Sequence, residues 1–287
     1  MRRFPEKELT SGRGPLDCCL LLLGGVRRTL AATVLMLVPH LAAGQERPSP
    51  KQPLQELFFT EVVYPQERHE VQLTFGAFVD RTRADKSALA PVSVEFGLTN
   101  RWQIEAGWDG YSRYDNDPWR DLRTQRLSLG TKYSFMHIAG APVHAAMGLD
   151  VEFTRADVFA EGEGEQGTQF EPFLALAADV PHGVTFFGSA GLSLQRAEVV
   201  DLATGQPPDD RGTLSGGLLV RIHRVTIAGE YTSRSDDAPW RLDGSPLVTP
   251  SITVHPGGEW ELAAGMPIGV RSGTHRPGLA FHVVKEF

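Results

Sequence analysis

From Val71 onward, apolar and polar residues alternate one by one in segment after segment. A period of two puts one class of side chain on each face of a β-strand, and the three-to-four spacing of an amphipathic helix is almost nowhere present. Val71, Leu73, Phe75, Ala77 and Val79 oppose Gln72, Thr74, Gly76 and Phe78. After a charged turn, Asp80 to Lys86, the residues Val92, Val94, Phe96 and Leu98 oppose Ser93, Glu95 and Gly97. The turn Thr99-Asn100 leads to Trp102, Ile104, Ala106 and Trp108 against Gln103, Glu105, Gly107 and Asp109. A fourth strand sets Leu127, Leu129, Tyr133 and Phe135 against Arg126, Ser128, Gly130 and Lys132, and a fifth runs from Val143 to Phe153. The sixth, about Gln169 to Ala178, alternates less cleanly. Further strands follow around Phe186–Gln195, Leu214–Ile222, Val225–Tyr231, Leu247–His255, Trp260–Ile268 and Leu279–Val283. Pro250 makes the tenth the weakest pattern, because proline lacks the N–H that a ladder needs.

The pattern therefore predicts twelve strands, and the connections between them alternate in length. Short ones at Thr99-Asn100, His137–Ala141, Val180–Gly183, His223-Arg224 and Pro256–Gly258 interleave with longer, charged ones. An even count of strands with short turns at one end and long loops at the other is the plan of a transmembrane antiparallel β-barrel. In lipid every backbone N–H and C=O must be paired, and only a closed sheet has no free edge. A secreted β-sandwich also alternates. Here, however, the second face is mostly Gly, Ser, Thr and charge, and the aromatics gather near strand ends. Trp102, Phe135, Trp260 and Phe287 are expected at the periplasmic interface, and Trp108, Tyr111 and Tyr231 toward the outer one. The terminal Phe287, with apolar residues at alternate positions behind it interrupted by Lys285, reads as a signal for the barrel assembly machinery.

The N-terminal segment changes the picture of compartment. Arg27 and Arg28 precede an apolar stretch, Thr29 to Pro39, and then Leu41-Ala42-Ala43-Gly44 offers small residues for cleavage. This is a secretory signal, expected to end at residue 44. A second apolar patch, Cys18 to Leu23, precedes a signal that is already complete, which points to translation starting near Val26. Removing residues 1–44 eliminates both cysteines and leaves 22 basic against 32 acidic residues, a net charge of −10. That balance argues against a nucleic-acid partner. Residues 45–66 are expected to form a periplasmic segment. Its first part, Gln45 to Glu56, is proline-rich and polar enough for a flexible tail. Phe58 to Tyr64 is apolar enough to be ordered, either as a short plug in the lumen or packed beneath the barrel. Residues 67–287 make the barrel.

With apolar positions facing lipid, the lumen-lining candidates are Glu95, Glu105, Asp109, Arg126, Lys132, Asp150, Glu152, Arg221 and Glu230, with Glu171, Glu261 and Glu286 adding acid. A net-acidic, water-filled lining favours cations. Inward charges in a narrow barrel can also simply pair across strands, and Lys132 is placed to neutralise Glu95 and Glu105. A lipid-acting barrel enzyme needs Ser and His at the lipid-facing rim. His144 and His282 are the histidines well inside strands, and neither has a serine two positions away. The run Glu161–Glu165 and the acidic pairs at Asp115, Asp117, Asp209, Asp210, Asp236 and Asp237 read as solvated external loops, able to bridge to lipopolysaccharide through divalent ions. No nucleotide or zinc motif is present, and no cofactor is expected.

The stretch Leu57-Phe58-Phe59-Thr60-Glu61-Val62-Val63-Tyr64-Pro65-Gln66 resembles the start of the Gram-negative outer-membrane proteins named for the meta-pathway of phenol degradation. So do the turn Gly97 to Trp102 and the segment Trp260 to Gly269. The resemblance covers roughly residues 56–287 and implies an outer-membrane transporter or channel for small hydrophobic or aromatic compounds. It carries over no catalytic or ligand residues. The expected function is thus passive uptake of a small-molecule permeant, with a lipid-acting enzyme and a closed structural barrel as the alternatives.

Overall fold

The structure, a computed structural model, describes residues 54–81, 85–115, 122–158, 164–195, 210–235, 246–270 and 277–287. The expected signal segment, residues 1–44, together with Glu161–Glu163 and the acidic residues 117, 209, 236 and 237, lies outside the described residues. The chain is all-β. In order it forms β1 (Val71–Arg81), β2 (Asp85–Thr99), β3 (Trp102–Asp115), β4 (Leu122–Phe135), β5 (Val143–Val158), β6 (Gly164–Val180) and β7 (Val184–Gln195). It continues with β8 (Arg211–Ile222), β9 (Val225–Arg234), β10 (Leu247–Gly257), β11 (Trp260–Gly265), β12 (Ile268–Gly269) and β13 (Leu279–Glu286).

From β1 to β11 each strand pairs antiparallel with the next in sequence, and β13 pairs with both β1 and β11, which closes the sheet. Because β11 and β12 both pair with β10, they are two pieces of one stave, and the barrel has twelve staves. The break between them explains the tolerated Pro250. Its carbonyl accepts from Met266 N at 3.0 Å, so its missing N–H faces the interruption at Met266-Pro267, where a regular ladder bond is not required.

One end of the barrel carries the tight turns, and the barrel's first and last strands begin and finish there. His137, His182 and His223 stand in the left-handed region at three of these turns, with φ of 53°, 75° and 57°. Histidine is among the few side chains that tolerate that region. Outward positions are apolar and exposed, including Phe75, Ile104, Leu129, Leu176, Phe186 and Ile227, whereas Gln72, Gln103, Ser134, Thr226 and Thr253 are buried inside. This inversion of the soluble pattern is what a lipid surround requires.

Two expectations are corrected here. Asp80–Lys86 is not wholly a turn, since β1 runs through Arg81 and β2 starts at Asp85. Tyr111 does not join the interface aromatics. It stands an odd number of residues from Trp108, so it points inward and lines the interior. Trp102, Trp108, Tyr231, Trp260 and Phe287 are exposed on the outside.

Candidate functional site: the lumen and its arch

Residues 54–66 arch across the inside of the barrel near the turn end, and an exposed turn over Glu67–Glu70 leads into β1. The tail expected over Gln45–Glu56 gives way by Leu54, which is 3% exposed. Leu54 and Leu57 pack against Leu219 and Ala228, and Val63 and Tyr64 against Ala146, Ala175 and Ala177. These wall residues sit at inward positions. Small or apolar side chains there form sockets for the arch, which is why β6 alternates less cleanly.

Polar anchors complement the apolar sockets. Glu230, 1% exposed, accepts from Phe58 N at 3.0 Å and Phe59 N at 2.9 Å, one bond on each carboxylate oxygen. Glu261, also buried, accepts from Gln55 N at 3.0 Å and Glu56 N at 3.4 Å. Tyr64 donates its hydroxyl to Asp179 Oδ1 at 2.8 Å, and Thr185 donates to the same oxygen at 2.7 Å. Farther along, Gln66 N donates to Gln103 Oε1 at 3.0 Å, while its side-chain amide reaches Gln72 and Glu95. An arch without helix or sheet leaves its own N–H groups unpaired, and inward carboxylates and amides supply the acceptors. Burial pushes the Tyr64 hydroxyl up from its ordinary value, as does its bond to Asp179. Glu61, by contrast, is exposed to the interior of the barrel.

Above the arch lies a chamber of ≈ 820 Å³, with Gln55 to Val62 contributing to its lining. Of the lumen-lining candidates, Glu95, Glu105, Asp109, Arg126, Lys132, Asp150 and Glu152 line this chamber, together with Glu171, Arg211 and Arg234. Glu230 does not, because the arch covers it, and Arg221 sits one residue from the end of β8 at the turn end. Arg126 bridges Asp109 at 3.0 Å and Glu152 at 3.3 Å. The expected pairing of Lys132 with Glu95 takes another form. Glu95 is held by the amides of Gln72, at 2.9 Å, and of Gln103 and Gln66. Lys132 instead exerts its charge on Glu56, Glu61, Glu105 and Asp150.

His144 faces the lumen and is fully buried. Its Nδ1 accepts from His137 N at 3.1 Å, which leaves the proton on Nε2, 3.0 Å from Asp179 Oδ2. Both ring nitrogens are engaged, and the ring lies 5.6 Å from that of Tyr64. His282 also points inward, stacked on Phe58 at 4.7 Å. Neither ring is at the lipid face where a lipid-acting site would stand. Asp210, grouped above with loop acids, accepts from Gln195 N at 3.2 Å.

The closed strand order, the lipid-compatible exterior and the charged interior define a transmembrane β-barrel of the porin-like, outer-membrane type. No protein-family model matches the chain, and no curated protein matches it. Among solved structures it is similar to the β domain of the Bordetella autotransporter BrkA, with a TM-score of 0.55, 11% identity, and 76% of this chain and 98% of that one covered. It is similar to the NanC porin with a TM-score of 0.52 and 12% identity over 74% and 97% of the two chains. The KdgM porin gives a TM-score of 0.46 and 9% identity over 75% and 99%. At these identities the likeness is one of fold.

Proposed function

We propose that the protein is a passive channel for small molecules in the outer membrane of a Gram-negative bacterium, with the arch regulating or narrowing the route at the turn end. The observation that carries this reading is the ≈ 820 Å³ chamber, whose charged and hydroxyl-bearing lining is that of a hydrated conduit rather than a packed core. The turn end would face the periplasm, and lipopolysaccharide would surround the loop end. Phe287, whose N–H donates to Val71 O at 2.9 Å, would present the assembly signal. The aromatic and apolar groups in the chamber, among them Phe58, Phe78 and Phe173, support the aromatic permeants that the sequence resemblance implies.

A closed structural barrel is the second reading, favoured by the sockets that seat the arch. Liposome swelling separates the two. Liposomes containing the refolded chain from Gln45 should swell in isotonic small sugars and amino acids and resist large oligosaccharides. Swelling no faster than that of empty liposomes, with the barrel folded by circular dichroism, would overturn the channel in favour of the closed barrel.

A further inference from the structure

The chamber's lining differs by sector. On one side it is apolar, with Phe78 from β1, Leu89 and Pro91 from β2, and Phe58 and Phe59 from the arch. Both arch rings lie 5.9 Å from Phe78, so they form one aromatic surface. The adjoining side, β3 to β6, is acidic. Cross-strand register aligns Glu105 with Gly130, Gly130 with Asp150, and Asp150 with Glu171 in a single inward row. Gly130 leaves room within that row, since a Cβ there would meet Asp150 Oδ1 at 2.2 Å.

Like charges aligned across strands are destabilising. Arg126 is engaged by Asp109 and Glu152, and Arg211 and Arg234 stand on β8 and β9, so among the described residues Lys132 is the cation left on the β3 to β6 side of the chamber for Glu61, Glu105 and Asp150. The lower chamber thus combines excess carboxylate with an aromatic wall. An anion is repelled there, a neutral aromatic leaves the carboxylates uncompensated, and a small inorganic cation gains no apolar contact. A molecule with an aromatic ring and an ammonium group satisfies both sectors, the ring packing against the phenylalanines and the ammonium against the carboxylates.

We propose that the chamber binds amphipathic organic cations, with the ring against Phe58, Phe59 and Phe78 and the ammonium at Glu61, Glu105 and Asp150. The inference rests on the channel reading and narrows its permeant from aromatic compounds in general to aromatic amines.

The test is equilibrium titration of the detergent-solubilised, refolded chain with 2-phenylethylammonium, 2-phenylethanol, 3-phenylpropionate and ethylammonium. The first should bind at least tenfold more tightly than the other three. Glu105→Gln combined with Asp150→Asn should erase that preference while leaving 2-phenylethanol unchanged. Equal binding of the alcohol or the carboxylate, or an unaltered preference in the double variant, would overturn the proposal. If the double variant does not refold, the ligand series on the unmodified chain decides alone. Bilayer recording distinguishes the two readings: selective binding without conductance would overturn the channel and keep the site, and conductance without selective binding would do the reverse.

Discussion

Replacing Glu230 with Ala isolates what holds the arch inside the barrel. Its two oxygens accept from consecutive backbone amides, Phe58 N at 3.0 Å and Phe59 N at 2.9 Å, in a site that is 1% exposed. A hydrogen bond to a charged group contributes about 1.5–3 kcal/mol. Water from the adjoining chamber can reach amides freed by the truncation, so the lower figure applies to each bond. The pair then contributes about 3 kcal/mol, roughly a 150-fold change in the ratio of seated to released arch. Glu230→Gln keeps one acceptor oxygen and turns an N–H donor toward the other amide, so about half that loss, roughly tenfold, is expected. Native-state hydrogen exchange reads this directly, because local opening of the arch exposes Phe58 and Phe59 amides without unfolding the wall. Their protection should fall about a hundredfold in the Ala variant and about tenfold in the Gln variant, with β5 and β6 amides unaffected. Unchanged protection at both residues would refute the reasoning, and an equal loss throughout the wall would show that Glu230 holds the barrel instead.

Three further outcomes are expected. Tyr64→Phe removes the 2.8 Å bond to Asp179 but keeps the ring in its alanine socket, so arch protection should drop by about 1–2 kcal/mol while the Tm of the barrel stays unchanged. Gly97→Ala would place a Cβ 1.9 Å from the Glu67 carbonyl oxygen, and the backbone must move. Exchange at His69, whose N–H donates to Gly97 O at 2.8 Å, should accelerate strongly, and unaltered exchange would show that the Glu67–Glu70 turn does not press on β2. Burial, and then the Glu95 carboxylate, hold the Glu56 carboxyl well above its ordinary 4.5, so the seated arch retains a proton that a released one gives up. Seating is therefore fully favoured below about pH 4.5 and weakens as pH rises toward the seated value. Open probability should be higher at about pH 8 than at about pH 5, and Glu56→Gln should flatten that dependence.

Alternation made the twelve staves legible because lipid and water impose opposite demands on successive residues. Where those demands relax, the signal fades. Near Asp80–Lys86 the ladder continues although apolar alternation has ended, so β1 and β2 are longer than their pattern. Tyr111 was misassigned by chemistry where parity gave the right face. Parity also placed Glu95, Glu105, Asp109, Arg126, Lys132, Asp150 and Glu152 inward, but not their partners. Glu95 is held by glutamine amides rather than by Lys132, since side-chain reach across staves is not encoded in spacing. The arch left a faint trace. Ala146, Ala175, Ala177 and Leu219 are apolar at positions where the rule calls for polarity, and Phe58 to Tyr64 is an apolar run without a strand to join. Taken together, those departures mark a socket and its occupant. That Glu230 and Glu261 accept backbone amides from a segment some 170 to 206 residues away is a property of closure alone.

The central claim, an acidic conduit through the barrel, is tested most directly by single-channel recording of the refolded chain from Gln45 in a planar bilayer across a potassium chloride gradient. Discrete steps are expected, with a reversal potential showing that potassium permeates more readily than chloride, and with longer openings in Glu230→Ala. Chloride-selective steps, or silence in both the unmodified chain and the Glu230→Ala variant, would contradict it.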